Sequence, residues 1–311
     1  MTDTKEVANL KDASVEEQGE FLKSFDTILC DIDGVIWSTL SSIDGAPDAI
    51  KSLRSIGKQV FFVTNNTTIP LEFLVKRLQE FEMKQNEVLR PDLAIIWYLK
   101  SINFDKEVYI VGVKALKDTI KKSGFKVHED EGDQVEETIA GVIKAINKLN
   151  PKVGAVIMDA DLNVSFVKLQ RCVEYIKKNN AIFLVGGWDP VLPFADTFLI
   201  GPKYFIQAVE DLSGKKPLTL AKPHDVFHDF VEESIKDLHP ERVLFIGDSV
   251  LTDMTYAQKF GHKKLLPLTG CTSKEEVTNW KFEENLKPDY YVDSLRDVHI
   301  IIQELKKKNV L

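Results

Sequence analysis

The sequence predicts an α/β fold: a Rossmann-like, doubly wound parallel sheet with a second α/β domain inserted into it. Short runs of β-forming residues alternate with stretches of helical spacing, the signature of a parallel sheet covered on both faces. That alternation occurs near the N-terminus and again in the C-terminal third. Between the two lies a long middle, from Asn66 to Lys222, with enough apolar elements for a core of its own. At 311 residues the chain is long for one domain and comfortable for two.

Residues 1–20 are polar and are expected to be frayed or loosely docked. Residues 27–32 are apolar and β-forming, ended by Asp33-Gly34, and read as the first strand. Helical spacing over 46–56, with Pro47 near its start and Gly57 past its end, reads as a helix. Residues 58–64 form a second buried-type strand and 71–82 another amphipathic helix. In the middle, 107–111, 155–159 and 181–185 read as strands, with 114–122 and 167–178 as helices. Then come a strand over 242–247, a helix over 252–260, a strand over 264–268 and a closing helix over 295–307. The expected division is a core of 21–103 and 214–311 with an inserted domain of 104–213.

Composition narrows the function. Hydrophobic content of 44% and charged content of 28% are ordinary globular values. A net charge of −8 argues against nucleic acid as a partner and against docking on anionic membranes. No apolar run approaches the roughly 18 residues of a transmembrane helix, and the start of the chain lacks the basic-then-apolar pattern of a signal peptide. Cys30, Cys172 and Cys271 stand far apart, which suggests neither a zinc cluster nor a disulfide framework. A reducing, cytoplasmic setting is expected.

Open α/β sheets bind ligands beyond the carboxyl ends of their strands, and four polar clusters fall at such ends. Asp31-Ile32-Asp33-Gly34 offers two carboxylates which strand alternation would point to one side. Such a pair is relieved by a hard cation such as Mg²⁺. Thr64-Asn65-Asn66-Thr67-Thr68 offers a hydroxyl and backbone N–H groups suited to phosphate oxygens. Lys222-Pro223 supplies one cation, and Gly247-Asp248-Ser249 with Asp253 supplies two acids five apart. Taken singly, each has a plainer explanation as a turn, a cap or a surface charge. His224 and His228 lie four apart, but the intervening Glu of a zinc-protease helix is absent.

In that order, Asp-x-Asp-Gly, Thr-Asn, Lys-Pro and Gly-Asp-(x)₄-Asp resemble the haloacid dehalogenase superfamily of aspartate-dependent phosphotransferases, from about Phe21 to the C-terminus. Within it the chain is similar to the eukaryotic phosphoglycolate/pyridoxal-phosphate phosphatases, a group formerly called 4-nitrophenylphosphatases. Residues 30–37, 62–66, Asp161 with Lys168-Leu169-Gln170, 240–249 and 268–272 carry the likeness. The resemblance implies that Asp31 is a nucleophile forming an aspartyl phosphate, and that Asp33 is general acid, then base. It implies phosphoryl contacts from Thr64, Asn65 and Asn66, and charge neutralisation by Lys222. It further implies Mg²⁺ on the Asp31 carboxylate, the Asp33 carbonyl and the Asp248 carboxylate, with Gly34, Ser249 and Asp253 in support. A receiver-type signalling domain also gathers acids, Thr and Lys on a parallel sheet, but has no use for an acid beside its nucleophile.

Only thirty residues separate Asp33 from Thr64, so an insert belongs after the second cluster, where the resemblance implies a C2-type cap. A cap restricts a site to small substrates, so the expected substrate is a small phosphate ester, and the resemblance leaves room for a homodimer through the cap. The cap departs from its relatives at Gly186-Gly187-Trp188-Asp189-Pro190 and at Ile200-Gly201-Pro202-Lys203. Where the pyridoxal-phosphate branch places a His, this chain has Val191-Leu192-Pro193. Asp189, Leu192 and Lys203 are therefore the candidate specificity residues. 2-Phosphoglycolate, or a similar short acidic ester, is expected to be preferred over pyridoxal 5′-phosphate.

Overall fold

The computed structural model describes residues 6–38, 41–129, 135–194 and 197–311. Along these residues the strands are β1 (Thr27–Cys30), β2 (Gln59–Val63), β3 (Val88–Leu89), β4 (Glu107–Val111), β5 (Lys126–His128), β6 (Val153–Met158) and β7 (Ile182–Val185). They continue as β8 (Val191–Phe194), β9 (Thr197–Ile200), β10 (Leu218–Thr219), β11 (Val243–Ile246), β12 (Lys263–Pro267) and β13 (Tyr290–Val292). The helices are α1 (Val15–Lys23), α2 (Ala46–Ser55), α3 (Leu71–Arg77), α4 (Pro91–Ser101), α5 (Lys114–Lys122) and α6 (Ile139–Ile146). After them come α7 (Phe166–Lys178), α8 (Lys203–Ser213), α9 (Asp225–Ser234), α10 (Thr255–Lys259), α11 (Lys274–Thr278) and α12 (Leu295–Lys307). The chain divides into two compact units, one of Met1–Thr64, Val75–Leu89 and Val231–Leu311, the other of Asn65–Leu74 and Arg90–Phe230.

The first unit is built on a six-stranded sheet in the order β13-β12-β11-β1-β2-β3, with every pair parallel. Its two middle strands, β1 and β11, are buried at every residue, as strands covered on both faces must be. Their register sets the site: Cys30 pairs with Ile246 on one side and Phe62 on the other. The residues that follow these strands therefore leave the sheet at one level. Helices α2 and α12 pack against each other in this unit.

Of the two alternatives for the N-terminal stretch, docking holds over its described residues, and two other expectations for this unit are corrected. Leu10 is fully buried and Asn9 bridges Tyr291 of β13 in parallel. Ser14 and Glu17 form a reciprocal cap that starts α1, while residues 1–5 of the stretch lie outside the described residues. The helix expected over 71–82 stops at Arg77, and a 3₁₀ turn over Gln79–Phe81 ends at Glu82 with φ 54°. The helix expected over 252–260 begins as a π-helical turn, Val250–Met254, before α10.

The second unit has a five-stranded parallel sheet in the order β10-β7-β6-β4-β5 and a separate antiparallel pair, β8 with β9. It takes in 104–213 together with 65–74, 90–103 and 214–230. Strand β6 is buried throughout, and Tyr109, Val156, Met158, Cys172 and Tyr175 lie in the core around it. Helix α4 shows as a short apolar run in the sequence, because Ala94, Ile95, Ile96 and Leu99 are buried and no polar stripe marks a period. No helix among the described residues is long and apolar enough to cross a membrane.

Candidate active site

Asp31 follows β1 and Asp248 follows β11 by two residues, so the Cys30–Ile246 register brings them together. The Asp31 N–H donates to the Ile246 carbonyl at 2.8 Å, continuing the ladder one step past the strand. Asp253, on the π-helical turn after β11, joins them. One carboxylate oxygen from each of Asp31, Asp248 and Asp253 lies within 4.8 Å of the others, and all three residues are buried. Among the described residues this is the one group of three or more metal-capable side chains that converges so closely.

Backbone and hydroxyl groups of the adjoining segments hold Asp248 and Asp253. Oδ2 of Asp248 accepts from the Cys271 N–H at 2.5 Å, and its backbone carbonyl accepts from the Thr272 hydroxyl at 2.6 Å. The Thr269 hydroxyl donates to the Gly34 carbonyl at 2.6 Å, tying the same loop to the turn after β1. Gly34 has φ +82°, and a Cβ at Gly34 or Gly270 would overlap the Asp248 carboxylate. Oδ2 of Asp253 accepts from the Ser249 N–H at 3.2 Å, while the Ser249 hydroxyl caps the turn by accepting from Thr252 N–H at 3.3 Å. Partial burial, with the Asp248 carboxylate beside it, pushes the Cys271 thiol up.

Three buried carboxylates this close repel one another, and a hard divalent cation with oxygen ligands relieves the repulsion. The donor set therefore fits a divalent metal. Asp33 is not in the trio. Strand β1 ends at Cys30, so the alternation that would carry Asp33 to the side of Asp31 no longer operates, and Asp33 is exposed. Its Oδ2 accepts from the Thr64 hydroxyl at 3.4 Å, and the buried Thr64 is held in turn by its N–H on the Leu89 carbonyl at 3.2 Å.

The remaining phosphate candidates belong to the second unit. The Asn65 amide grips the Lys222 backbone from both sides, accepting its N–H at 3.0 Å and donating to its carbonyl at 3.3 Å. Lys222 is buried. Asn66 accepts from the Thr68 N–H and hydroxyl at 3.0 and 2.6 Å, closing an Asx turn. Further contacts complete the loop: Thr67, of the same cluster, donates to Asp159 at 2.8 Å, and Arg90, outside any motif, donates through Nη1 to the Ile69 carbonyl at 2.8 Å. Arg90 and Asp92 form a fully buried two-point ion pair at 3.0 and 2.6 Å. Of the residues outside the quartet of motifs, Asp159 left a trace in the sequence, as an acid closing an otherwise apolar strand.

The three cap candidates are dispersed over one region. Asp189 follows β7, half-buried, and its carbonyl accepts from the Lys203 N–H at 3.3 Å. Leu192 sits on β8 opposite Leu199, where a loop had been expected, and Lys203 opens α8. Lys168 of the quoted motif is buried, donating to Asp161 at 3.2 Å and to the Asn163 carbonyl at 2.7 Å. His224 and His228 join no metal-capable cluster among the described residues.

A haloacid dehalogenase-like hydrolase family model matches residues 28–126, and a HAD-hydrolase-like model matches residues 219–298. A 4-nitrophenylphosphatase of Schizosaccharomyces pombe is 29% identical over 91% of this chain and 96% of its own length. A glycerol-3-phosphate phosphatase of Gallus gallus is 30% identical over 89% of this chain and 92% of its own. Phosphoglycolate phosphatase 1A of Arabidopsis thaliana is 28% identical over 91% and 79%. The solved p-nitrophenyl phosphatase from Archaeoglobus fulgidus superposes with a TM-score of 0.75 at 21% identity, covering 89% of this chain and 99% of that one.

Fold, cluster and relatives together define a phosphoric monoester hydrolase with an α/β core and a C2-type cap. The chain belongs to the haloacid dehalogenase-like hydrolases.

Proposed function

We propose that this chain is a Mg²⁺-dependent phosphatase of a short, anionic metabolite phosphate such as 2-phosphoglycolate. The observation that carries the reading is the convergence of Asp31, Asp248 and Asp253, buried, at the ends of the central strands. In the proposed chemistry an Asp31 carboxylate oxygen attacks phosphorus, the ester P–O bond breaks, and Asp33 gives its proton to the leaving alcohol. Asp33 then takes a proton from water, which attacks phosphorus, breaks the acyl phosphate and restores the Asp31 carboxylate. The Thr64 hydroxyl, within hydrogen-bond reach of Asp33, is assigned to orient that carboxyl and a phosphoryl oxygen. Asn65, Asn66 and Lys222 are assigned to phosphoryl contact and charge neutralisation, as the resemblance implies. Mg²⁺ would be held by the Asp31 carboxylate, the Asp33 carbonyl and the Asp248 carboxylate, with Asp253 in support; when bound it supplies positive charge against the phosphoryl oxygens.

The substrate class is supported by Leu192 on β8: an aliphatic side chain cannot give a ring substrate the polar contact of an imidazole. Relatives named for glycerol 3-phosphate and phosphoglycolate bracket the same chemistry, a small ester without an aromatic ring. Phosphate release measured side by side from 2-phosphoglycolate, glycerol 3-phosphate and pyridoxal 5′-phosphate tests this. A clear preference for pyridoxal 5′-phosphate would remove Leu192 as a specificity residue. A cytoplasmic setting belongs to the same reading and is supported by three cysteines spread far apart in the sequence, which suggest no disulfide framework. So does a homodimer through the cap, supported by exposed Ile139, Ile143, Leu162 and Phe166; light scattering of the purified chain checks it.

A further inference from the structure

Within the second unit, residues 65–69 are fixed at three points. Asn65 is held by the Lys222 backbone, Ile69 by Arg90, and between them the Thr67 hydroxyl donates to Oδ2 of Asp159 at 2.8 Å. The middle point is built around a buried acid. Thr67 is 1% exposed and Asp159 6%, a depth at which an ionised carboxyl is costly unless hydrogen bonds hold it. Asp159 follows β6 and takes a second bond, from the Ala160 N–H at 2.6 Å. Space for it exists only because residue 186 is glycine, since a Cβ there would overlap Oδ2 of Asp159. An acid, its hydroxyl partner and the gap that admits it thus come from three separate stretches of chain.

We infer that Asp159 is a positioning residue: its carboxylate holds Thr67, and with it the segment carrying Asn65, in the geometry used for phosphoryl contact. This rests on the phosphatase reading above. A small displacement of a positioning group costs turnover steeply, because alignment in the transition state suffers more than ground-state binding. The charged groups acting on Asp159 are Asp92 at the start of α4 and Asp189 after β7, with Arg90 engaged on Asp92. Burial, opposed by the bonds from Thr67 and Ala160, pushes the Asp159 carboxyl up to about 7. Ionised, it accepts from Thr67. Protonated, or replaced by an Asn amide, it would donate and turn the Thr67 hydroxyl around.

Steady-state kinetics of the full chain with 4-nitrophenyl phosphate test this, the parent being assayed first. Thr67→Val is expected to lower kcat about 10-fold with KM within about threefold, and Thr67→Ser to recover most of the loss. Asp159→Ala should lower kcat similarly, and the double variant should lose no more than the worse single, since both break one contact. The kcat of Asp159→Asn relative to the parent should fall about fivefold from about pH 5.5 to about pH 8, as the parental carboxyl ionises. Parental kcat in Thr67→Val, losses that multiply in the double variant, or an Asp159→Asn ratio independent of pH each overturn the assignment. Should Thr67→Val not fold, the Asp159→Asn ratio decides alone, because that substitution conserves volume. A parent that hydrolyses no phosphate ester overturns the phosphatase reading itself, an outcome distinct from all of these.

Discussion

Asn65 and Lys222 stand 157 residues apart in the chain, yet the Asn65 amide hydrogen-bonds both the N–H and the carbonyl of Lys222, at 3.0 and 3.3 Å. The side chain of one proposed phosphoryl ligand thus fixes the backbone of another. Asn65→Ala removes both bonds together with the phosphoryl contact proposed for Asn65. Its kcat/KM is expected to fall by about 10² or more, beyond what one lost donor would cost. A loss of less than about threefold in a steady-state assay rejects the coupled arrangement.

Asp31→Asn is expected to abolish turnover while the fold persists, because an amide cannot form the acyl phosphate. Asp33→Asn should slow both steps, by about 10² given ordinary acid–base contributions. Circular dichroism with phosphate-release kinetics separates the two effects from unfolding. Near-parental rates in Asp31→Asn would show that the nucleophile lies elsewhere.

Removal of divalent metal by a chelator should stop hydrolysis, and Mg²⁺ should restore it better than Ca²⁺, whose larger shell tends to engage both oxygens of one carboxylate. Asp253→Asn should raise the Mg²⁺ concentration needed for half-maximal rate by about 10–100-fold. Full activity in excess chelator contradicts the role given to the acidic trio.

Arg90 and Asp92 are wholly buried, and Arg90 also donates to the Ile69 carbonyl. Arg90→Ala leaves a buried carboxylate without its partner, which is expected to cost about 3–5 kcal/mol. Denaturant unfolding of parent and variant measures it; a cost under about 1 kcal/mol would mean that water or another cation compensates.

Asp159 gives stability an unusual pH dependence. Its folded pKa, about 7, lies above the ordinary 3.8, so between those values the folded chain holds a proton that the unfolded chain has released. By linkage, its contribution falls as pH rises through that window and is lowest above 7. Asp159→Asn is expected to raise Tm at about pH 8 by several degrees, with the gain shrinking toward about pH 5. Thermal scans across that range check the sign. A gain that does not vary with pH argues that Asp159 is not the group responsible. A variant both more stable and less active at high pH would place Asp159 among residues kept for function at a cost in stability.

What the sequence disclosed and what it concealed divide along a physical line. Asp31 and Asp248 were legible because each stands just past a strand end, a position that local β-forming patterns mark, and Asp253 because it lies in the opening turn of the helical segment that follows β11. Thr67 with Asp159, and Arg90 with Ile69, were not, since each is a contact between distant stretches with no period to betray it. The contact of Asp33 with Thr64 was not legible either, because β1 stops at Cys30 and alternation gives no guide past the end of a strand. Helix α4 gave a weak signal because buried residues nearly surround it. The hairpin of β8 and β9 was hidden by Pro193, which reads as loop.

The docking of Asn9 against Tyr291 bears on how the chain behaves in company. Strand β13 is one of the two outer strands of the six-stranded sheet, and the Tyr291 N–H there is met by the Ala8 carbonyl at 3.1 Å. An uncovered outer strand presents its backbone as a template on which another polypeptide can add. Residues 8 and 9 act as a hem along that border. A protein shortened past them would show its defect first as self-association that worsens with concentration, before any change in its chemistry.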